Sequence, residues 1–259
     1  MAAKSKVTDV FARYTRADTT SKQRIFANSD GEVGSGKSTF WLGAPGPIVV
    51  QTLDLGLEGV VEQHAGSKEI YMATYDLGQE PGGEFTVALA QQARDKFIED
   101  FEHAIQNART IVWDRESDVW PLFFFAEFVT DDAFGAAPPK DWDRLKGKLR
   151  RLIQMAKTTD VNFGIIRGMK NEWVQKINAK TGAKAATQSG GRVPSGMDDI
   201  DALTHLNLTH TRSGKDFSIH IGKARGPGGH EIQDQTFSGL CFADFAQLVF
   251  PDSNPSDWE

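Results

Sequence analysis

The stretch Gly31-Glu32-Val33-Gly34-Ser35-Gly36-Lys37-Ser38-Thr39 limits what this chain can fold into more than any other. It fits G-x-x-x-x-G-K-[ST], a loop that wraps the phosphates of a nucleoside triphosphate between a strand and a helix. The glycines let backbone N–H groups turn inward with no Cβ in the way, forming a nest for anionic oxygens. On this pattern Glu32, Val33, Gly34, Ser35, Gly36, Lys37, Ser38 and Thr39 form the nucleotide-binding set. Lys37 reaches the β- and γ-phosphates, and the Ser38 hydroxyl sits on Mg2+. ATP or GTP with Mg2+ is the expected ligand.

Such a loop requires a sheet, and the rest of the chain supplies one. Residues 23–28 are the candidate for the strand feeding the loop, although they are polar for a central strand, and Ser29-Asp30 directly before the loop are more so. Pro47-Ile48-Val49-Val50-Gln51-Thr52-Leu53 reads as a second buried strand after the Ala44-Pro45-Gly46-Pro47 turn. Residues 84–108 carry apolar side chains at helical spacing and lead into Thr110-Ile111-Val112-Trp113-Asp114, an apolar strand ending in a carboxylate. Residues 118–128 read as a helix packed on that sheet, 131–140 as a loop, and Asp141 or Asp143 opens an amphipathic helix to Ala156. Val161 to Arg167 is the next buried strand. Residues 175–196 are poor in apolar side chains and read as a long loop or hairpin. Residues 202–211 and 216–223 alternate as strands, 242–248 form a short helix, and no internal repeat is visible. Strands alternating with helices, then strands alone, predict an α/β fold: a mainly parallel sheet, helices on both faces, antiparallel strands toward the C-terminus.

Composition narrows the function classes. A chain of 259 residues with 39% hydrophobic and 25% charged residues has ample material for a core. Its net charge of −6 argues against a surface coated for nucleic acid, so any such contact needs a local basic patch. One cysteine, Cys241, excludes an internal disulfide and a Cys-rich zinc site. No signal peptide is visible, and the apolar run from Val119 to Val129, broken by Pro121 and Glu127, is too short for a bilayer. A cytoplasmic protein with no membrane partner is expected. The six histidines show no metal-binding pair. The aromatic run Phe123-Phe124-Phe125, with Trp113 and Trp120, reads as core or subunit interface.

Hydrolysis needs a metal holder, a base and positive charge at the γ-phosphate. Asp114 is the metal candidate beside Ser38, because a strand-end carboxylate falls in the crevice where open α/β sheets bind ligands. For the base, Asp54 lies nearest the end of the second strand, with Glu58 and Glu116 as alternatives. Lys223 and Arg225, two apart before a Gly/Pro turn in Gly222-Lys223-Ala224-Arg225-Gly226-Pro227-Gly228-Gly229, face one way. They suit cations that reach a neighbour's γ-phosphate, as arginine fingers do.

Taken in order, G-E-V-G-S-G-K-S-T, A-P-G-P-I-V-V-Q-T-L-D-L-G, T-I-V-W-D, V-N-F-G-I-I-R and K-A-R-G-P-G-G resemble the RecA-like P-loop ATPases. The likeness is greatest to the phage-encoded ATPases of single-strand annealing and recombination, and the last motif is similar to the Lys-x-Arg turn of replicative ring helicases. The resemblance covers roughly residues 23–250. It implies an extension over 1–20, a RecA-like ATPase domain over 21–250 and a polar tail over 251–259. It implies ATP at interfaces of a homo-oligomer, ring or filament, with Lys223 and Arg225 as the trans-acting pair. Asp54 falls where the family often has a catalytic Glu, so a slower turnover is implied. Arg167 falls at the family's γ-phosphate sensor, usually a smaller polar residue.

Between 170 and 197 the chain carries Lys170, Lys176, Lys180, Lys184 and Arg192 against one acid, Glu172, in the region of the family's second DNA-binding loop. Lys176, Lys180, Lys184 and Arg192 are the expected contacts to single-stranded DNA, sequence-tolerant and salt-sensitive, with Trp173 available to stack on a base. The implied activity is phage-type recombination or replication in the bacterial host cytoplasm, with a single-strand DNA-binding protein as a candidate partner. The alternatives are an ATP-dependent binding switch and a motor of helicase or packaging type.

Overall fold

The computed structural model describes residues 22–259 except 55, 58, 76, 78–84, 129–138 and 178–183. The expected extension over 1–20 and residues 131–138 of the loop expected over 131–140 therefore lie outside the described residues, while 139–140 are helical, two residues before the earliest expected helix start at Asp141. In chain order the elements are β1 (Phe26–Gly31), α1 (Lys37–Leu42), β2 (Ile48–Thr52), α2 (Val61–His64), β3 (Ile70–Thr74), α3 (Val87–Asn107), β4 (Thr110–Asp114) and α4 (Glu116–Phe128). There follow α5 (Pro139–Thr158), β5 (Asn162–Arg167), β6 (Met169–Ile177), β7 (Lys184–Pro194), α6 (Ile200–Leu203) and β8 (Leu206–Ser213). The chain ends with β9 (Asp216–Ala224), α7 (Gly229–Ile232), β10 (Gln235–Ser238), α8 (Phe242–Val249) and a 3-10 turn at Pro255–Trp258.

Eight strands form one sheet in the order β10-β9-β8-β1-β5-β4-β2-β3. From β8 to β3 all neighbours are parallel, whereas β9 and β10 are antiparallel, which is the expected class. Strands β6 and β7 form a separate antiparallel hairpin. Strand β4 is apolar on both sides because both faces of the sheet are covered. Ile111 and Trp113 of β4 enter the cluster beneath α3, α4 and α5, while Val112 enters the cluster beneath α1 and α8. Helix α3 buries Ala90, Ala93, Phe97, Phe101 and Ala104 at three- and four-residue spacing, and its N-cap Thr86 accepts from the Leu89 N–H at 3.2 Å.

The polar entry to the loop turns out to be strand. β1 begins at Phe26 and runs through Asn28, Ser29 and Asp30, all buried. Each finds partners, as buried polar groups must. On one face Arg167 holds Asp30 through Nε (2.7 Å) and Nη2 (3.0 Å) and also pairs with Asp201. Asn28 donates to Asp30 at 3.1 Å and to Asp201 at 3.2 Å, and accepts from the Thr204 hydroxyl at 3.0 Å. On the other face Ser29 accepts from the Trp41 indole at 2.8 Å and lies 3.2 Å from His210 Nε2.

Two edge strands, β3 and β10, have no counterpart in the sequence reading, and residues 202–203, expected to open a strand over 202–211, belong instead to α6, with β8 beginning at Leu206. The C-terminal residues, expected to be a polar tail, pack onto the sheet: Trp258 is 1% exposed, stacks on Phe250 and donates to Ser253 Oγ at 2.8 Å. Among the described residues no helix is long and apolar enough to cross a membrane.

Candidate functional site

Parallel register puts the strand ends in one line along the C-terminal edge of the sheet. Thr52 pairs with Asp114, Asp114 with Ile166, Asp30 with Arg167, and Gly31 with His210. The glycine-rich segment Gly31–Thr39 leaves this edge between β1 and α1. Two of its glycines are required by geometry. Gly36 has φ +89°, and a Cβ there would meet the Phe217 ring at 2.9 Å. Gly31, at φ +153°, lies so close to the His210 carbonyl that a side chain would collide with it.

Lys37 folds back over the loop, donating to Gly31 O (2.7 Å), Glu32 O (2.8 Å) and Ser35 Oγ (3.3 Å). Burial lowers its pKa from the ordinary lysine value, so a charged partner in the loop is energetically wanted. Ser38 donates to Asp114 Oδ2 at 2.8 Å, spanning from α1 to β4 across β5. Burial raises the Asp114 carboxyl, with the Ser38 hydrogen bond pulling the other way. Sequence therefore selected two oxygen donors, 76 positions apart, that the fold places in contact.

A cleft of about 460 Å3 opens over the loop, lined among others by Lys37, Ser38, Asp54, Asp114, Arg115 and Arg212. Of the three carboxylates considered as base, Asp54 lies in this cleft. Its Oδ1 accepts from the Gly56 N–H at 2.6 Å, and its Oδ2 is 3.3 Å from Arg115 Nη2. Glu116 points elsewhere: it is fully buried, accepts from the Met197 N–H at 3.1 Å, and burial pushes it up to about 8. Glu58 lies outside the described residues.

The arginine at the end of β5 does not line the cleft. Arg167 is 2% exposed, and its guanidinium turns beneath the loop into the Asp30 and Asp201 pair, with Nη1 donating to Met197 O at 3.4 Å. Among the described residues two other arginines face the cleft, and the sequence reading named neither. Arg115 directly follows Asp114 and binds Asp118 through Nε at 3.0 Å and Nη2 at 2.9 Å. Burial works against its charge, but Asp118, Asp54 and Asp114 outweigh that and raise its pKa. Arg212, at the end of β8, sits 5.0 Å from the Phe217 ring centroid and donates from Nε to Gly214 O at 2.8 Å. The signal for both was position: Arg115 directly follows β4 and Arg212 is next to last in β8, each on the edge that carries the loop.

Lys223 and Arg225 are at the opposite edge. β9 runs antiparallel to β8, so Lys223 pairs with Asn207 near the start of β8, and the Arg225 N–H donates to His205 O at 3.0 Å. Lys223 Nζ donates to the Thr204 carbonyl at 2.6 Å and to that of Asp201. Neither residue lines the chain's own cleft.

The basic segment is the β6–β7 hairpin. Trp173 is 61% exposed on it, and Lys184 is exposed at the start of β7. Lys176 pairs with Ala185 in the hairpin's register, and Lys180 lies outside the described residues. Arg192 is tied to the phosphate loop: its Nε lies 2.9 Å from Glu32 Oε1, and Nη2 donates to Glu32 Oε2 at 3.0 Å. It also donates to Asn171 Oδ1 and Met169 O, each at 2.9 Å.

No family model matches the sequence, and no curated protein matches it. Among solved structures the chain is similar to the RadB recombinase, with a TM-score of 0.44 and 12% identity over 82% of this chain and 86% of that one.

Proposed function

We propose that this chain is a RecA-like P-loop ATPase that binds ATP with Mg2+ and acts on single-stranded DNA in phage-type recombination or replication. The observation that carries the reading is the Ser38–Asp114 hydrogen bond of 2.8 Å under a loop whose Lys37 is already gathered over it. A plain Gly-rich turn has no reason to bring a hydroxyl and a buried carboxylate together at the sheet's ligand-binding edge.

The donor set fits Mg2+, a hard cation that keeps several waters and takes only one or two protein oxygens. Among the described residues no group of three or more His, Cys, Asp or Glu side chains gathers as a protein metal cage, consistent with a metal shared with a substrate's phosphates. Ser38 and Asp114 would hold it, and the ion would supply charge neutralisation at the phosphates. Lys37 exchanges the loop carbonyls for phosphate oxygens, the loop N–H groups bind the remainder, and Asp54 orients water at the open end of the cleft.

Lys223 and Arg225 lie on the far edge, so a role at a γ-phosphate is a role at another copy's site. The reading accordingly includes a homo-oligomer with ATP between subunits. The hairpin, with Lys176, Lys180, Lys184 and Arg192, is the proposed DNA-binding element. A switch with slow turnover draws its support from Asp54, which is already engaged by Arg115 and the Gly56 N–H.

The test is ATP turnover by the purified protein, titrated with single-stranded DNA at low and moderate salt. Stimulation that fades as salt rises supports the reading. Nucleotide binding with a flat DNA response would leave only a nucleotide-dependent switch.

A further inference from the structure

We propose that Arg115 is a catalytic cation acting in cis: it shields Asp54 when the cleft holds no nucleotide and moves to the γ-phosphate when it does. This rests on the ATPase reading above and deepens it. Three observations carry it. Arg115 is joined to the chain directly after Asp114, so its backbone is fixed at the metal end of the cleft rather than at the loop's other side. Its side chain is 36% exposed and lines the same cleft as Lys37 and Ser38. Its partners are unequal: Asp118 binds it twice, at 3.0 and 2.9 Å, whereas Asp54 stands at 3.3 Å and is itself 44% exposed.

This arrangement suits a swinging charge. Asp118, one turn along α4, anchors the guanidinium, and the Asp54 contact is the one a triphosphate displaces. A nucleotide with its γ-phosphate outcompetes a half-exposed carboxylate that meets the arginine through one oxygen, because phosphate offers more charge and can take the fork with two. Displacement has two effects. Positive charge is delivered where negative charge spreads in the transition state, and Asp54 is released to accept a proton. In the step itself the water oxygen forms a bond to the γ-phosphorus. The bond from that phosphorus to the bridging oxygen of ADP breaks, with its electron pair staying on ADP. The water's proton passes to Asp54 and then to solvent or phosphate. Arg167, two percent exposed and held by two carboxylates, has no such freedom.

The test compares wild type, Arg115→Ala and Arg115→Lys for binding of ADP, of ATP and of ADP with aluminium fluoride, a mimic of the phosphoryl group in transfer, and for turnover. Arg115→Ala is expected to bind ADP within about threefold of wild type and to lose more affinity for ATP than for ADP, while turnover falls about a hundredfold or more. It should also lose the extra affinity for the aluminium fluoride complex, a loss that weakened anchoring of α4 would not produce. Arg115→Lys, which keeps charge but not the fork, should recover part of both. Unchanged turnover in Arg115→Ala overturns the assignment, as does an equal loss of affinity for ADP and its aluminium fluoride complex. A wild type that binds ATP yet never turns it over also overturns the assignment, while leaving nucleotide binding intact. If wild type binds no nucleotide, the ATPase reading itself fails.

Discussion

Two arginines leave adjacent strands on the same edge of the sheet, and their surroundings could hardly differ more. Arg167, at the end of β5, is sealed between Asp30 and Asp201 beside the start of the glycine-rich loop. Arg115, after β4, stands in the cleft above the loop and shares Asp118 and Asp54 with solvent. Position at a strand end therefore does not make a residue catalytic. What matters is whether its charge is already balanced and buried, or is balanced by contacts that a ligand can replace. The layer under the loop is a structural spine, and the cleft above it is where chemistry has room to occur.

The sharpest way to break that distinction is to cut the spine. Arg167→Met removes one partner of a buried pair and leaves Asp30 charged and unpaired, which costs about 3–5 kcal/mol. Denaturant unfolding of the variant should show that loss, and a change below about 1 kcal/mol would mean that Arg167 is free to serve as the γ-phosphate sensor the family resemblance implies. The cleft should answer in the opposite way. Lys37→Ala is expected to weaken ATP binding by a hundredfold or more, about 2.7 kcal/mol, with a near-native melting temperature, because burial already works against the Lys37 charge. Calorimetric titration alongside a melting curve separates the two. Retained ATP affinity would place the nucleotide elsewhere.

The cleft was legible in the sequence and the spine was not, for a physical reason. A phosphate loop and a strand-end carboxylate are local patterns, carried by backbone conformation and by the direction of one strand. The partners of β1 are remote: Arg167 lies 137 positions from Asp30, and Asp201 lies 173 positions from Asn28. Read alone, Asn28-Ser29-Asp30 contradict a central strand, and only the folded sheet supplies the groups that neutralise them. The edge strands β3 and β10 escaped notice because each exposes most of its residues and so carries no buried run. Arg115 is overshadowed in the sequence by the carboxylates on either side of it, Asp114 and Glu116.

His210 offers a smaller test of the spine from its other face. It is buried against Ser29 and Phe40, and burial pushes its pKa down to about 3. The folded chain holds it neutral while the unfolded chain takes up a proton below its ordinary value near 6.5. Its contribution is therefore present above pH 6.5 and is lost as pH falls from there toward 3. Between pH 6.5 and 5 this amounts to about 2 kcal/mol. His210→Gln should flatten that part of the stability profile, measured by urea unfolding at pH 7 and pH 5. An unchanged slope would show that His210 is not the group responsible.

The smallest effect concerns the join between cleft and hairpin. Arg192, one of the proposed DNA contacts, spends its charge on Glu32 of the phosphate loop, through exposed contacts of 2.9 and 3.0 Å. Exposed pairs of this kind are worth about 0.2–1 kcal/mol, so the pair is weak enough for a phosphate backbone to displace. If it is displaced on binding, Glu32 acts as an internal competitor for the DNA. Glu32→Gln should then tighten binding of a thymidine oligonucleotide by up to about fivefold at low salt, with stability almost unchanged. Arg192→Gln should do the reverse, and should lower the slope of log affinity against log salt by about 0.7, the share of one cation on a single strand. Fluorescence anisotropy over a salt series reads both quantities. Opposite shifts in the two variants would make the hairpin an electrostatic extension of the nucleotide site. Equal shifts, or none, would confine Arg192 to holding the hairpin against the loop, and would move the search for DNA contacts to the lysines nearer its tip.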